Sequence, residues 1–397
     1  MIYRDFKGQK LSQLGFGCMR FATDPETGEI DQAKVNAMFD LAIKEGVNYF
    51  DTAYPYLGGK SEIAMAEALS RYPRESYYIA DKFPGHSLTG PIDNTALFNV
   101  SLRKCRTDYF DFYLFHNVTE WSVKFYESEE YHIIPDILKM KEEGKIRYLG
   151  FSCHSGPELL DAFLTRHEGE FDFVQIQLNY LDWTMQDAKT KYEIIRRHGL
   201  GVWVMEPVRG GKLAVLPESE SAKLRALHPD AGEQPSDASY AFRFLQGLPG
   251  IKVILSGMNE VFQVEDNLRT FREECPLSDA ERNTLLDIAE NLKKGVPCTA
   301  CRYCCDGCPV GLDIPYLLEC YNDYKFAQTM TPSVRLDALP EEKRPAACIG
   351  CGQCTHACPQ SIDVPSALAE LAQMYENGPH WRDMVAQRSR SINEDLK

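Results

Sequence analysis

The segment DQAKVNAMFDLAIKEGVNYFD, residues 31–51, decides the fold. Its first part sets Val35, Met38, Phe39, Ala42 and Ile43 on one stripe of a helix, and Gly46 supplies a stop. Its last part, Val47 to Asp51, is a short β-rich run. A helix handing over to a short strand is the unit of a parallel sheet joined by crossover helices. The unit recurs on both sides. Strands are predicted at Leu14–Cys18, Val47–Asp51, Tyr77–Lys82, Phe110–Phe115, Ile146–Ser152, Phe171–Leu178, Gly201–Glu206 and Ile251–Ser256, with amphipathic stretches such as IPDILKMKEEG between them. Eight such units in about 250 residues favour closure into a (β/α)8 TIM-type barrel over an open doubly wound sheet. In PLSDAERNTLLDIAENLKKG, Ser278 as N-cap and Glu281 three residues on predict a last helix. The reading is therefore an α/β chain with a barrel over residues 1–290 and a second domain over 291–397.

The chain carries 43 Lys and Arg against 58 Asp and Glu, a net charge of −15. No basic field is offered to a nucleic acid backbone. The amino terminus interrupts its apolar residues with charges, unlike a secretory signal, and no run of about 18 charge-free apolar residues follows. The expectation is a cytoplasmic protein with no membrane partner. Nine of the 14 cysteines fall between Cys298 and Cys354 and a tenth is Cys358. In a reducing compartment such clustered thiols read as metal ligands rather than disulfides.

The runs Cys298, Cys301, Cys304, Cys308 and Cys348, Cys351, Cys354, Cys358 each spell C-x2-C-x2-C-x3-C-P, the bacterial two-cluster ferredoxin pattern. Three closely spaced thiolates cover three corners of one iron–sulfur cube, and the fourth reaches to a second. The ligand set expected is two [4Fe-4S] clusters in a helical or ferredoxin-like domain, with a helical pattern at Ile314 to Tyr324: Cys298, Cys301, Cys304 with Cys358, and Cys348, Cys351, Cys354 with Cys308. Structural zinc is the competing reading, though it is usually met by paired C-x2-C units. Cys18, Cys105, Cys275, Cys305 and Cys320 lie outside the register and are expected to pack as small hydrophobes.

Catalytic groups of such barrels sit where strands end at the carboxyl-terminal face. Asp51 ends the second predicted strand, Lys82 the third, and His116 follows the fourth, while Tyr56 lies on the loop leaving Asp51. Taken singly, each has a structural reading as a cap, an ion-pair partner, a polar contact or a loop anchor; together they converge on one rim. A lysine beside a tyrosine favours the phenolate, which suits Tyr56 to proton transfer. In NYFDTAYPY, IADKF and DFYLFHN these four residues resemble the Asp, Tyr, Lys, His tetrad of the aldo-keto reductases. The resemblance covers residues 1 to about 290. It implies a nicotinamide cofactor, reversible hydride transfer to a carbonyl, and a small carbonyl or alcohol substrate. It casts Tyr56 as proton donor, Lys82 with Asp51 as lowering its pKa, and His116 as orienting the carbonyl.

The same resemblance implies cofactor contacts. Ser152 and Gln177 hold the carboxamide, with Cys153 where the family commonly has Asn; Met205 stands where an aromatic ring commonly stacks on the nicotinamide. Arg209, Gly210 and Gly211 form a turn that can approach a pyrophosphate. Ser256, Gly257, Met258, Gln263 and Asn267 match the adenosine site. Gln263 occupies the slot of the basic residue that reads a 2′-phosphate, which weakens NADP without establishing NAD, since Lys252, Arg209 or Arg269 can compensate. A nicotinamide passes an electron pair and a cluster single electrons, so a flavin is compatible as intermediary, although no motif marks one. Two readings stay open. In one, an oxidoreductase exchanges electrons through its clusters with a ferredoxin-like partner or a flavin. In the other, this is an electron-transfer or redox-sensing interaction protein whose clusters are structural or regulatory and whose barrel is not an active reductase.

Overall fold

The chain begins with an antiparallel hairpin that the sequence patterning did not single out, β1 (Tyr3–Phe6) and β2 (Gln9–Ser12). Its two-residue turn holds Lys7 at φ 50° and Gly8 at φ 82°, the left-handed pair whose twist matches a tight hairpin. Eight strands follow: β3 (Leu14–Gly17), β4 (Tyr49–Asp51), β5 (Tyr78–Phe83), β6 (Phe110–Val118), β7 (Ile146–Cys153), β8 (Phe173–Gln177), β9 (Gly201–Met205) and β10 (Ile251–Gly257). They pair in parallel and close as β10-β3-β4-β5-β6-β7-β8-β9, which leaves no barrel strand with an open edge. This computed structural model describes residues 1–230, 232, 234–293, 295–298, 300–326 and 330–396.

The eight predicted runs all form, with ends shifted by a few residues. In the deciding segment a helix spans Gln32–Lys44, started by Asp31, whose side chain accepts from the Lys34 amide. Val35, Met38, Phe39 and Ala42 are buried, while Ile43 lies at the half-buried edge of the stripe. Gly46 takes φ 96°, turning the chain into β4. The helix Asp279–Leu292 starts on the expected reciprocal cap: the Glu281 amide donates to Ser278 Oγ at 3.3 Å, and the Ser278 amide to Glu281 Oε2 at 2.7 Å.

The hairpin plugs the barrel floor. Phe6 and Leu11 join Tyr49, Phe112, Phe173, Trp203 and Val253 in one buried cluster. The Phe6 ring meets Trp203 edge-on at 4.8 Å between centroids. Gly201 permits this approach, because a Cβ there would lie 2.6 Å from the Trp203 ring and 3.0 Å from Phe6.

Contacts divide the chain into two compact units, Met1–Ile288 with Ile392–Lys397, and Ala289–Ser391. The second unit corrects the expected ferredoxin-like fold: among its described residues there is no β-sheet. Each cysteine run instead makes a short helical turn, Tyr303–Asp306 and Gln353–Ala357, followed by a longer helix, Ile314–Phe326 and Val364–Asn377. The reason is legible in the segments after the cysteines, whose apolar residues follow a helical stripe and lack the period-two alternation of strands. Leu317, Leu318, Leu336, Val364, Leu368 and Leu371 form this unit's core.

Phe6→Ala should destabilise the barrel by about 3–5 kcal/mol, read as a lower urea midpoint for the Trp203 emission change; an unchanged midpoint would show that the hairpin does not brace the floor.

Candidate active site and cysteine recesses

Period-two alternation turns Tyr49 and Asp51 of β4, and Ala80 and Lys82 of β5, toward the barrel axis. Lys82 has no exposed surface and Asp51 only 3 %. Lys82 Nζ donates to Asp51 Oδ1 at 2.5 Å and to the Thr52 carbonyl oxygen at 2.6 Å. The ammonium lies 5.0 Å from the centroid of the Tyr56 ring. Tyr56, half-buried at the mouth, meets the His116 ring edge-on with centroids 5.6 Å apart. The structure thus brings together the four rim residues expected to meet. It adds His86, which follows β5 and sits 4.4 Å from His116, centroid to centroid. Tyr126 is buried and donates to the carbonyl oxygens of His116 at 2.6 Å and Phe83 at 3.2 Å, fixing the ends of β6 and β5.

Burial raises the Asp51 pKa, with Lys82 opposing the shift. Burial works to lower that of Lys82, but the Asp51 carboxylate outweighs it and the ammonium is held above its usual range. The phenol of Tyr56 departs from the expectation. Burial raises its pKa; Lys82 pulls it down, while Asp51 and Glu206 push it further up, and the net direction is upward. Asp51 therefore does not help to acidify Tyr56: its negative charge disfavours a second one nearby. The group at the mouth is a protonated phenol.

The residues expected to hold a cofactor occupy varied settings. Ser152 Oγ accepts from the Asn117 amide at 2.7 Å. Gln177 Nε2 donates to Asp182 Oδ2 at 2.8 Å. Met205 ends β9, with its sulfur 3.6 Å from Gln175 Nε2. Arg209 turns inward: it is buried, with Nη1 3.3 Å from Asp182 Oδ1. Gly210 and Gly211 take φ 63° and 93°. Ser256 Oγ accepts from Asn267 Nδ2 at 2.9 Å, and Met258 is buried beside them in sequence. Gln263 Oε1 accepts from the amides of Asn259 and Glu260, capping the helix Val261–Thr270. Lys252 lies at the other end of β10 and donates to the Asp5 carbonyl oxygen, and Arg269 is in the last turn of its helix, so neither stands at the slot of Gln263.

Sequence reasoning missed Arg20. It follows β3 and pairs with Glu206 at 3.1 Å. A Cβ at Gly257 would lie 3.1 Å from its aliphatic stem, and one at Gly210 3.3 Å from its guanidinium, so both glycines make room for this side chain. Extending the strand-end rule to β3 would have found it. His154, just past β7, was also missed. Burial, then the Lys191 charge, push its pKa down to about 4, against a hydrogen bond with Gln177 that favours the charged ring.

In the second unit, Cys298, Cys301, Cys304 and Cys358 line one shallow recess. Cys308, Cys348, Cys351 and Cys354 line another. Each recess thus takes three thiols from one run and one from the other, walled by apolar residues such as Leu318, Ile362 and Val364 in the first. The thiols do not converge to single-ion spacing. Among the described residues, the one group of three or more His, Cys, Asp or Glu ligand atoms all within 4.8 Å of one another is Glu62, Asp81 and Cys105, in the barrel unit. Of the cysteines outside the register, Cys18, Cys105 and Cys320 are buried and Cys305 is half-buried, whereas Cys275 is exposed and does not pack as expected.

A barrel with a buried lysine–carboxylate pair at its mouth is the frame of an oxidoreductase of the carbonyl-reducing type, and comparison with known proteins agrees. Residues 13–290 match the model of the Aldo/keto reductase family, and residues 297–362 that of the 4Fe-4S dicluster domain. A probable aldo-keto reductase 1 of Glycine max is 27 % identical, over 56 % of this chain and 64 % of its own length. An NADH-specific methylglyoxal reductase of Escherichia coli is 25 % identical, over 72 % of this chain and 96 % of its own. The holo structure of an aldo-keto reductase from Bacillus halodurans, 25 % identical, superposes with a TM-score of 0.57 over 72 % of this chain and 96 % of that one. The chain belongs to the aldo/keto reductase family, with a 4Fe-4S domain fused carboxyl-terminal to the barrel. Among the described residues no helix is long and apolar enough to cross a membrane.

His154 should titrate near pH 4 by NMR. Because this lies below the usual 6.5, the unfolded chain binds the proton more readily, so the contribution to stability is whole above about pH 6.5 and falls away toward about pH 4. A midpoint near 6.5 would contradict the burial argument.

Proposed function

We propose that this protein is an NAD(P)-dependent oxidoreductase interconverting a small carbonyl compound and its alcohol, and that its second unit holds two [4Fe-4S] clusters that exchange electrons with a ferredoxin-like partner. The observation that carries the first part is the Lys82 ammonium, buried on Asp51 and facing the Tyr56 ring. Tyr56 gives its proton to the carbonyl oxygen as negative charge develops there. Lys82 stabilises the phenolate left behind, which a half-buried phenol could not otherwise sustain. Asp51 keeps Lys82 charged and in place, and His116, edge-on to Tyr56, orients the oxygen. A bound nicotinamide would supply the hydride for the carbonyl carbon.

Ser152, Gln177 and Met205 suit the nicotinamide end of the cofactor. Arg209 acts from behind, since Asp182 joins its guanidinium to the Gln177 amide. Arg20, between Gly210 and Gly257, is the cation best placed for a diphosphate, with Glu206 its partner until one binds. Ser256, Gly257, Met258, Gln263 and Asn267 suit the adenosine end. There the Gln263 carbonyl is committed to the helix cap and the neighbouring charge is the Glu260 carboxylate, held by Lys34 at 2.8 Å. Glu260 engages Lys34 and so commits the nearby cation that a 2′-phosphate would need; the reading therefore favours NADH, in line with the cofactor named for the Escherichia coli relative.

Support for the clusters is the crossed composition of the two recesses, which fits iron–sulfur ligation: four thiols each, with mostly apolar walls. When bound, the clusters supply one-electron carriers. Anaerobic titration with NADH, watched through cluster absorbance, tests electron exchange: bleaching supports it, and unbleached clusters in an enzyme that turns over carbonyls would leave them structural.

Tyr56→Phe should lower kcat for carbonyl reduction by about 10²–10⁴-fold with NADH binding intact by fluorescence titration; an unchanged kcat would remove the proton-donor role. Cys308→Ala should disturb the cluster of Cys348, Cys351 and Cys354 and spare the other by electron paramagnetic resonance. Selective loss of the cluster at Cys298, Cys301 and Cys304 would defeat the crossed assignment.

A further inference from the structure

The alternation that turns Lys82 into the barrel turns Asp81 outward, toward the helices. There it meets Glu62, in the first turn of the helix Ser61–Leu69, and Cys105, which caps the helix Asn94–Lys104. One ligand atom from each lies within 4.8 Å of the other two. Glu62 and Asp81 have no exposed surface; their carboxyl groups lie against each other, with the Ser101 hydroxyl beside Glu62 and the Lys82 amide beside Asp81, and among the described residues none of the four oxygens has a hydrogen bond of good geometry. Carboxylates only accept hydrogen bonds. Two of them facing one another away from water need a positive species between them, either a shared proton or a metal ion.

An independent observation separates these. Tyr113, the register partner of Asp81 on β6, is fully buried, and its hydroxyl has no partner among the described residues. After burial itself, the groups that push its pKa up are Asp81, Glu62 and Cys105, which places the phenol at the same spot. Ser101 Oγ, one helical turn before Cys105, is buried beside the Glu62 carboxylate. A proton shared by the carboxylates would satisfy them and the serine hydroxyl but give no role to the Cys105 thiol or the Tyr113 phenol; a cation draws on both.

We propose that Glu62, Asp81 and Cys105 form a buried divalent-cation site of the zinc class, with the Tyr113 and Ser101 hydroxyls at its margin. Mixed carboxylate and thiolate donors suit zinc, whereas calcium and magnesium take oxygen alone. Two carboxylates and a thiolate around a divalent ion leave one negative charge. Lys104 offsets it, with Nζ 3.8 Å from Glu62 Oε2, while also reaching the more exposed Asp395 at 2.6 Å. The ion would tie β5 to two helices of the barrel wall. This site is separate from the catalytic reading and does not depend on it.

The test uses the full chain, produced with zinc in the medium and purified anaerobically, with zinc, iron and sulfide counted together. About one zinc per chain is expected, lost in Cys105→Ala and in Asp81→Asn while iron and sulfide stay unchanged. Zinc-edge X-ray absorption on the unaltered protein keeps the proposal testable if either variant folds poorly. It should show one sulfur at about 2.3 Å and oxygens at about 2.0–2.2 Å. A sulfur-only shell, which places the zinc in the cysteine recesses, overturns the proposal. So does zinc retained by both variants, or its absence from the unaltered protein, which leaves a shared proton between the carboxylates.

Discussion

An ammonium with no exposed surface sets the terms for the barrel unit. Removing such a charge from water costs several kcal/mol, and only a close counter-charge with good hydrogen bonds offsets it. For Lys82 that partner is Asp51, and the Thr52 carbonyl oxygen takes a second bond. The pairing requires β4 and β5 to be parallel neighbours in one register, Asp51 opposite Ala80, so that Lys82, two residues on, shares the inner face. It also requires water to be kept from below, which the hairpin and the Phe6, Trp203, Phe112 stack accomplish. Closure, floor and pair are one arrangement, and the protonated phenol of Tyr56 is poised by it.

Much of the barrel was legible because its signals are periodic. The stripe at Val35, Met38, Phe39 and Ala42 and the reciprocal cap at Ser278 and Glu281 are local features that the tertiary structure leaves in force. The rim residues were legible because strand ends in such a barrel point to one face. The hairpin was harder to see: its strands are four residues each, and only Phe6 and Leu11 of them reach the core. The inward turn of Arg209 was not legible, because it depends on Asp182, 27 residues away in sequence, and no local pattern reports that.

The carboxyl-terminal unit shows a different limit. Spacing such as C-x2-C-x2-C-x3-C-P constrains where sulfurs can lie, and it does not constrain the scaffold that carries them. Here the carrier is helical, with Ile314–Phe326 packing against Val364–Asn377. Each recess nevertheless draws on both runs, so the unit's two halves are bound to the same task whatever secondary structure surrounds them. The resemblance in the cysteines spoke to chemistry; the apolar periodicity between them spoke to fold.

The plugged floor has one more consequence. A barrel filled by side chains above a plugged base can be entered only at its rim, so whatever the rim residues bind shares one approach.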